Sequence, residues 1–288
     1  IRDENGDFIY MACLMRDLSR YIGAKNQDTM REREMKPLTL ESYAESMQNT
    51  LSADQEAIAK LVPETLVLQR SNQTLSRSLA WMTTQFNSAY MAVLQAEGTG
   101  VLGELESFTG YKALSRIVSQ EMVLDPNRLL SRLDESLQLV IDEDIDLDEE
   151  NNGLQAYFIG YDPEKKALKS AGAGLDMLVI KAGKQKWFEG ASQGLGIETE
   201  QDERLFSPQS LSLDTGDMVI LCSCTVMDAR PNADSDTPLG RDGVAEALAS
   251  MRDKDWDTCQ SELQAWFEGL APADRDQIDL LMVCFRAP

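Results

Sequence analysis

The closing segment "QIDLLMVCFR" (Gln277 to Arg286) constrains the fold more than any other stretch of this chain. From Leu280 to Phe285 every residue is apolar, so a strand here has no polar face to turn toward water. Strands with one wet face alternate apolar and polar residues. A run without alternation belongs in the middle of a sheet that is covered on both sides. The rest of the chain must supply those covers. Short strands suit stretches such as "LVLQR" and "AYMAVL" between residues 65 and 94, and "LQAYFIGYD", "KALKSAGAG", "LDMLVIKAG", "QKWFEGA" and "QSLSLDTGDMVILC" follow at hairpin spacing. Helical patterns lie between them. One opens at the glycine turn "EGTGV" and runs to about Gln120, and one follows the Asp125-Pro126 cap as far as Ile141. Two more span Gly243 to Met251 and Thr258 to Gly269. Helices inserted among hairpin strands predict an α+β sandwich with helices packed outside its sheets.

Three regions are expected. Residues 1–36 read as a turn at Asn5-Gly6, a strand from Phe8 to Met15, a helical pattern and a charged linker. Residues 37–64 form a connecting helix, and residues 65–288 the main domain. The helix carries a seam of Leu40, Ala44, Met47, Leu51, Asp54, Ile58 and Leu61 whose spacings alternate four and three, and Pro63 ends it. Two packings satisfy that rhythm: a homodimeric coiled coil through Leu40 to Leu61, or an amphipathic helix docked on the domain that follows.

Charge and composition remove several function classes. With 27 basic and 49 acidic residues the net charge is −22, which repels phosphate backbones and anionic lipid. Nucleic acid and membrane are therefore excluded as partners, and proteins with basic faces are favoured. No apolar run is long enough to span a bilayer and no secretory leader is visible, so a cytoplasmic location is expected. The five cysteines (Cys13, Cys222, Cys224, Cys259, Cys284) show no C-x-x-C spacing and suit buried thiols in a reducing compartment better than a disulfide framework or a zinc site. The chain holds no histidine. Catalysis by Ser-His-Asp or Cys-His, and imidazole metal ligation, are thereby ruled out for this chain's own residues.

One stretch invites a chemical reading. In "GDMVILCSCTVMDARPN" an apolar strand, Met218 to Cys222, runs into Ser223-Cys224-Thr225 and an Asp-Ala-Arg turn. Strand ends feeding loops are where a rigid scaffold aims side chains at a ligand. A thiol nucleophile at Cys224 would need an activating cation, because no histidine is present; redox sensing and plain packing are the other readings. Cys222, two residues earlier on the strand, reads as core.

Six motifs in order resemble the protein phosphatase 2C (PPM-type) domain, in its bacterial stage II sporulation and stress-response branch. "GTGV" resembles the end of the family's Asp-Val-Ser-Gly-His-Gly-Val turn, and "YFIGYDPEKKALKSAGAG" its strand, turn and "NAGH" strand. "GLGI" resembles "PLGI", "LDTGDMVILCSCTVMDAR" resembles "LAPGDLLLLYTDGVTEAR", and "PLGRDGV" resembles "FGEERL". "RDQIDLLMVCFR" resembles the closing "RDDITLLVLR". The resemblance covers roughly residues 45–288. It implies a β-sandwich flanked by helices, and metal-dependent removal of phosphate from Ser or Thr. In that chemistry clustered aspartates hold a pair of Mg²⁺ or Mn²⁺ ions, and a bridging water becomes the nucleophile.

The aspartates are largely replaced here. By the resemblance, Gln95 stands where the family has the aspartate before its glycine turn. Cys224 and Thr225 stand for the Asp and Gly of Thr-Asp-Gly, and Gln277 for the second Asp of the closing pair. Asp276 is the one retained candidate ligand. The opening Gly-Gly-Asp has no counterpart, since Thr65 to Ala96, 32 consecutive residues, contain no Asp or Glu. The resemblance thus implies degenerate metal positions, no cofactor, and a pseudophosphatase that binds a regulatory protein, such as a sigma-factor or anti-sigma pathway component, by partner switching. The alternative is an active Mn/Mg-dependent phosphatase that recruits carboxylates from Asp228, Asp217 or the acidic run Asp142 to Glu150. That run lacks the glycine a calcium loop needs and reads as a solvated loop. Asp279 reads as a local polar contact. "DENGDFIYMACLMRDLSR", near the start, more weakly resembles the closing strand of a PAS sensor domain.

Overall fold

The computed structural model describes residues 40–72, 76–98, 100–141, 153–197, 206–273 and 278–288. The strand and PAS resemblance near the start, the acidic run, Asp276 and Gln277 lie outside them.

The all-apolar closing strand is β10 (Asp279–Arg286), and both of its faces are covered. Leu280, Met282 and Cys284 enter one apolar cluster while Leu281, Val283 and Phe285 enter another. Alternation of side chains across a strand therefore divides one apolar run between two cores. β10 lies between β1 (Thr65–Ser71) and β9 (Met218–Cys222) in a sheet completed by β6 (Met177–Lys181) and β7 (Lys184–Phe188), in the order β1-β10-β9-β6-β7. The second sheet has the order β2-β3-β4-β5-β8, built from Ser78–Gln85, Ser88–Ala96, Leu154–Asp162, Ala167–Ala173 and Gln209–Ser212. Every pairing between these strands is antiparallel.

The sheets pack face to face over a cluster that includes Met82, Val93, Tyr157, Ile159, Leu221 and Phe285. Helices α2 (Gly100–Gln120) and α3 (Pro126–Ile141) cover the outer face of the second sheet through Phe108, Ile117, Leu129 and Leu133. On the other side lie α4 (Cys224–Asp228), α5 (Gly240–Ala249) and α6 (Trp256–Gly269), contributing Val226, Val244, Leu263 and Phe267. This is the α+β sandwich with outer helices that the sequence predicts. None of the described helices is long and apolar enough to cross a membrane.

Helix α1 (Leu40–Ala59) belongs to the same compact unit as everything after it. Met47, Leu51 and Ile58 of its seam face inward. Met47 joins the cluster under α2 and α3, while Leu51, Ile58 and Val62 join the cluster between the sheets. The helix thus packs against β2 and β1, each an edge strand of its sheet. Of the two packings open to the heptad rhythm, the structure displays the docked helix. While it stays docked, those seam residues present no face to a second chain.

Arg70 ties β1 to the end of α6. Its guanidinium donates to the carbonyl oxygens of Phe267 (3.4 Å), Glu268 (2.6 Å) and Leu270. The last carbonyls of a helix have no partners within it, and a cation there also meets the negative end of the helix dipole. Replacing it (Arg70→Met) is expected to cost about 2 kcal/mol, the scale of a hydrogen-bonded charged group, when unfolding is followed in urea.

Candidate functional site

Two of the sequence-predicted site residues, Gln95 and Cys224, come together where the ends of the two sheets meet, while Asp276 and Gln277 lie outside the described residues. β3 and β4 run antiparallel with Gln95 opposite Gln155, and β2 and β3 pair Ser78 with Gln95. β9 ends beside them at Cys222. Ser223 follows, and Cys224 opens the short helix α4, which ends at Asp228, the first residue of the expected Asp-Ala-Arg turn. The turn from β3 into α2 is tight. A Cβ on Gly103 would lie 2.1 Å from the Gly98 carbonyl oxygen, so only glycine permits that approach.

Gln95 and Cys224, matched to two metal-binding aspartates, touch each other. The Cys224 backbone N–H donates to Gln95 Oε1 at 2.6 Å. The Cys224 thiol donates to Gln155 Oε1 at 3.1 Å, and the Gln155 amide donates to the Glu97 carboxylate. Burial pushes the Cys224 thiol up to about 11, and the charges of Asp228, Asp176 and Glu97 add to that against a smaller opposing effect of Arg241. A thiol so placed stays protonated at neutral pH, which removes the nucleophile reading. Cys222 is fully buried in the core, as expected.

A second group of polar side chains closes the cleft from the β10 side. Asp279 is 2% exposed, and its carboxylate accepts from the Ser76 hydroxyl and faces Arg77 Nε at 3.5 Å. Burial raises its carboxyl pKa, against opposing effects of Ser76, Arg77 and Ser78. The Thr225 hydroxyl donates to the Asp279 carbonyl, and the Ser223 hydroxyl accepts from the Leu281 N–H at 3.1 Å. Asp279 is thus the polar contact the sequence suggests. Nearby, Glu106 of α2 is pushed up to about 7 by burial and then by the charge of Glu97.

Of the carboxylates considered as substitute ligands, Asp217 sits before β9, at the opposite end of that strand from Cys224. There it is buried against Lys181 and Arg252, each at 3.5 Å. Asp228 lies in α4, close enough to Cys224 to act on it electrostatically. Among the described residues no three Cys, Asp or Glu side chains converge as metal ligands. A pair of hard divalent ions needs several anionic oxygens. What Gln95 and Cys224 offer is an amide oxygen already accepting an N–H and a protonated thiol. These residues do not fit a two-metal centre.

Sequence reasoning did not single out Gln155, Arg77 or Ser76. Gln155 was discoverable as the polar position in the otherwise apolar start of "LQAYFIGYD". Arg77 was discoverable as one of two charged residues in the acid-free stretch.

Two antiparallel sheets packed between two helical layers define a PP2C-type phosphatase domain. The chain belongs to the Stage II sporulation protein E (SpoIIE) family, whose sequence profile matches residues 87–286. A search of curated proteins gave no match. Among solved structures, the SiaA-PP2C domain of Pseudomonas aeruginosa superposes with a TM-score of 0.69 at 16% identity, covering 86% of this chain and 95% of that one. The RsbU and RsbW domains of Rv1364c from Mycobacterium tuberculosis give 0.60 at 15% identity, covering 79% and 61%. RsbX in complex with magnesium gives 0.53 at 13% identity, covering 78% and 94%.

Proposed function

We propose that this chain is a catalytically degenerate member of its family, a pseudophosphatase that holds a partner protein in a bacterial regulatory or stress-response pathway. One observation carries the reading: the side chains at two matched metal positions are bonded within the protein, Gln95 to the Cys224 backbone at 2.6 Å and the Cys224 thiol to Gln155 at 3.1 Å. This hydrogen-bonded plug ties the end of β9 to β3 and β4 of the other sheet without cations, so the fold keeps its surface while losing the means to activate water. The partner class is a component of a sigma-factor or anti-sigma pathway, as the family resemblance implies. The association of RsbU and RsbW domains in one relative of the same fold supports that choice.

The second reading, an active enzyme with displaced ligands, draws on the electrostatic closeness of Asp228, Asp176 and Glu97 to Cys224. Magnesium in RsbX shows that the fold can hold the metal. Calorimetric titration of the full chain with Mn²⁺ and with Mg²⁺ separates the two. The pseudophosphatase gives no saturable two-site binding, and releases p-nitrophenol from its phosphate ester in excess Mn²⁺ no faster than buffer does. Two-site binding together with turnover that Asp276→Ala abolishes would establish the enzyme instead.

A further inference from the structure

The sandwich has four edge strands, and they are not equally guarded. β1 and β2 lie against α1. β8 has four residues, and the carbonyl of its Ser212 already accepts from Lys181 Nζ at 2.9 Å. β7 is open: among the described residues it pairs only with β6, and Lys184, Gln185 and Lys186 are exposed. A two-residue turn, Ala182 and Gly183, both at positive φ, joins β6 to β7. In such a hairpin the flanking pair, Lys181 with Lys184, exchanges hydrogen bonds, and so does every second pair after it. The N–H and C=O groups of Gln185 and Trp187 therefore point outward, and among the described residues they have no backbone partner.

The charge of this region is opposite to that of the chain. Six of the eleven lysines fall between Lys165 and Lys186, with Asp176 as the only acid among them, in a chain of net charge −22. Lys165 and Lys181 are paired, with Asp162 at 2.6 Å and Asp214 at 2.9 Å. Lys184 and Lys186 have no carboxylate partner among the described residues, and Lys186 Nζ rests 4.5 Å from the centre of the Phe188 ring. Alternation puts Lys184, Lys186 and Phe188 on one face of β7 and Gln185 and Trp187 on the other. There the Gln185 amide donates to the Ala245 carbonyl of α5 at 3.1 Å, and Trp187 packs on the cluster beneath α5 and α6. Lysines on an edge ordinarily guard it, because a neutral or basic strand that pairs there must desolvate them without compensation. A strand carrying carboxylates opposite them removes that penalty.

We propose that β7 is a docking edge for an extended segment of an acidic partner protein, with carboxylates at alternate positions facing Lys184 and Lys186 and apolar side chains between them beside Gln185 and Trp187. Main-chain bonds to Gln185 and Trp187 supply affinity, and the alternation supplies specificity. The inference is independent of whether the cleft is catalytically degenerate. Ile180 pairs with Met218 and Met177 with Leu221, so the lysine end of the β6–β7 hairpin lies at the end of the sheet away from Cys224.

A fluorescein-labelled peptide of about eight residues, alternating aspartate and valine, tests the proposal by fluorescence anisotropy with the full chain. The expected result is one saturable site whose affinity falls as salt is raised. A peptide of the same composition with its aspartates in one block is expected to bind about tenfold more weakly, because only alternation places carboxylates on one face of a paired strand. Lys184→Glu with Lys186→Glu is expected to weaken the alternating peptide by about tenfold or more, since like charges would then lie opposite each other. Non-saturating binding, equal affinity for the block peptide, or equal affinity for a single-stranded DNA of the same charge would each overturn the proposal. So would unchanged affinity in the double variant when circular dichroism shows it folded. Should that variant not fold, the block-peptide and DNA comparisons still decide.

Discussion

Arg77→Met is expected to lower the unfolding free energy by about 3 kcal/mol at neutral pH, the low end for removing one partner of a buried ion pair. Asp279 is 2% exposed and faces the guanidinium at 3.5 Å, with the Ser76 hydroxyl and Ser78 as further donors. Without Arg77 a buried carboxylate would keep that hydroxyl but lose its counter-charge. The pH dependence follows from the direction of the Asp279 shift, which is upward, with burial as the main cause. A carboxyl raised above its unfolded value contributes stability that is complete below that value and is lost as pH rises through the folded one. Arg77 opposes the rise, so removing it moves the folded value higher and deepens the loss on the alkaline side. The deficit of the variant should therefore be largest on the alkaline side and shrink as the pH falls and the carboxyl protonates. Urea unfolding at several pH values measures it. An equal deficit throughout would show that Arg77 acts through packing of its aliphatic stem and contact with the Gly98 carbonyl, not through charge.

The same two arginines show how far the sequence reaches. The acid-free stretch from Thr65 to Ala96 contains Arg70 and Arg77, and local sequence offers neither of them a carboxylate. Both find partners near the other end of the chain, Arg70 at the carbonyls ending α6 and Arg77 at the first residue of β10. Periodicity could not reveal this, because it reports which face a residue takes and not which strand lies across the cleft. β10 was legible because a run with no polar face has one place to go. The seam of α1 was legible as a buried face. Its partner was not, since the four-three rhythm is the same for a second helix and for a sheet edge. At the site, the substitutions at Gln95 and Cys224 were readable residue by residue. Their direct contact was not, because it depends on the end of β9 meeting the ends of β3 and β4. Gln155 escaped notice for the same reason: it matters through its register opposite Gln95, and register is a property of paired strands.

Restoring the matched aspartates, Gln95→Asp with Cys224→Asp, is expected to destabilise the metal-free protein by about 4 kcal/mol at neutral pH, the scale of burying charge without compensation. Gln95 is 6% exposed, and a shorter aspartate loses the present reach to the Cys224 N–H. At position 224 the surroundings are already unfavourable to an anion: burial, then Asp228, Asp176 and Glu97, hold the native thiol at about 11. The same influences would raise the pKa of an introduced carboxyl, so the added cost should appear as pH rises through its folded value and largely vanish at about pH 4, near the unfolded aspartate value. The field that penalises new carboxylates attracts a cation once they are present. Excess Mn²⁺ should therefore raise the Tm of the double variant by mass action while leaving that of the native chain unchanged. This contrast separates a cleft that has exchanged its ions for hydrogen bonds from one that still binds them elsewhere. If Mn²⁺ raised the native Tm equally, carboxylates other than those replaced would be holding metal, and the hydrogen-bonded plug could not be what substitutes for it.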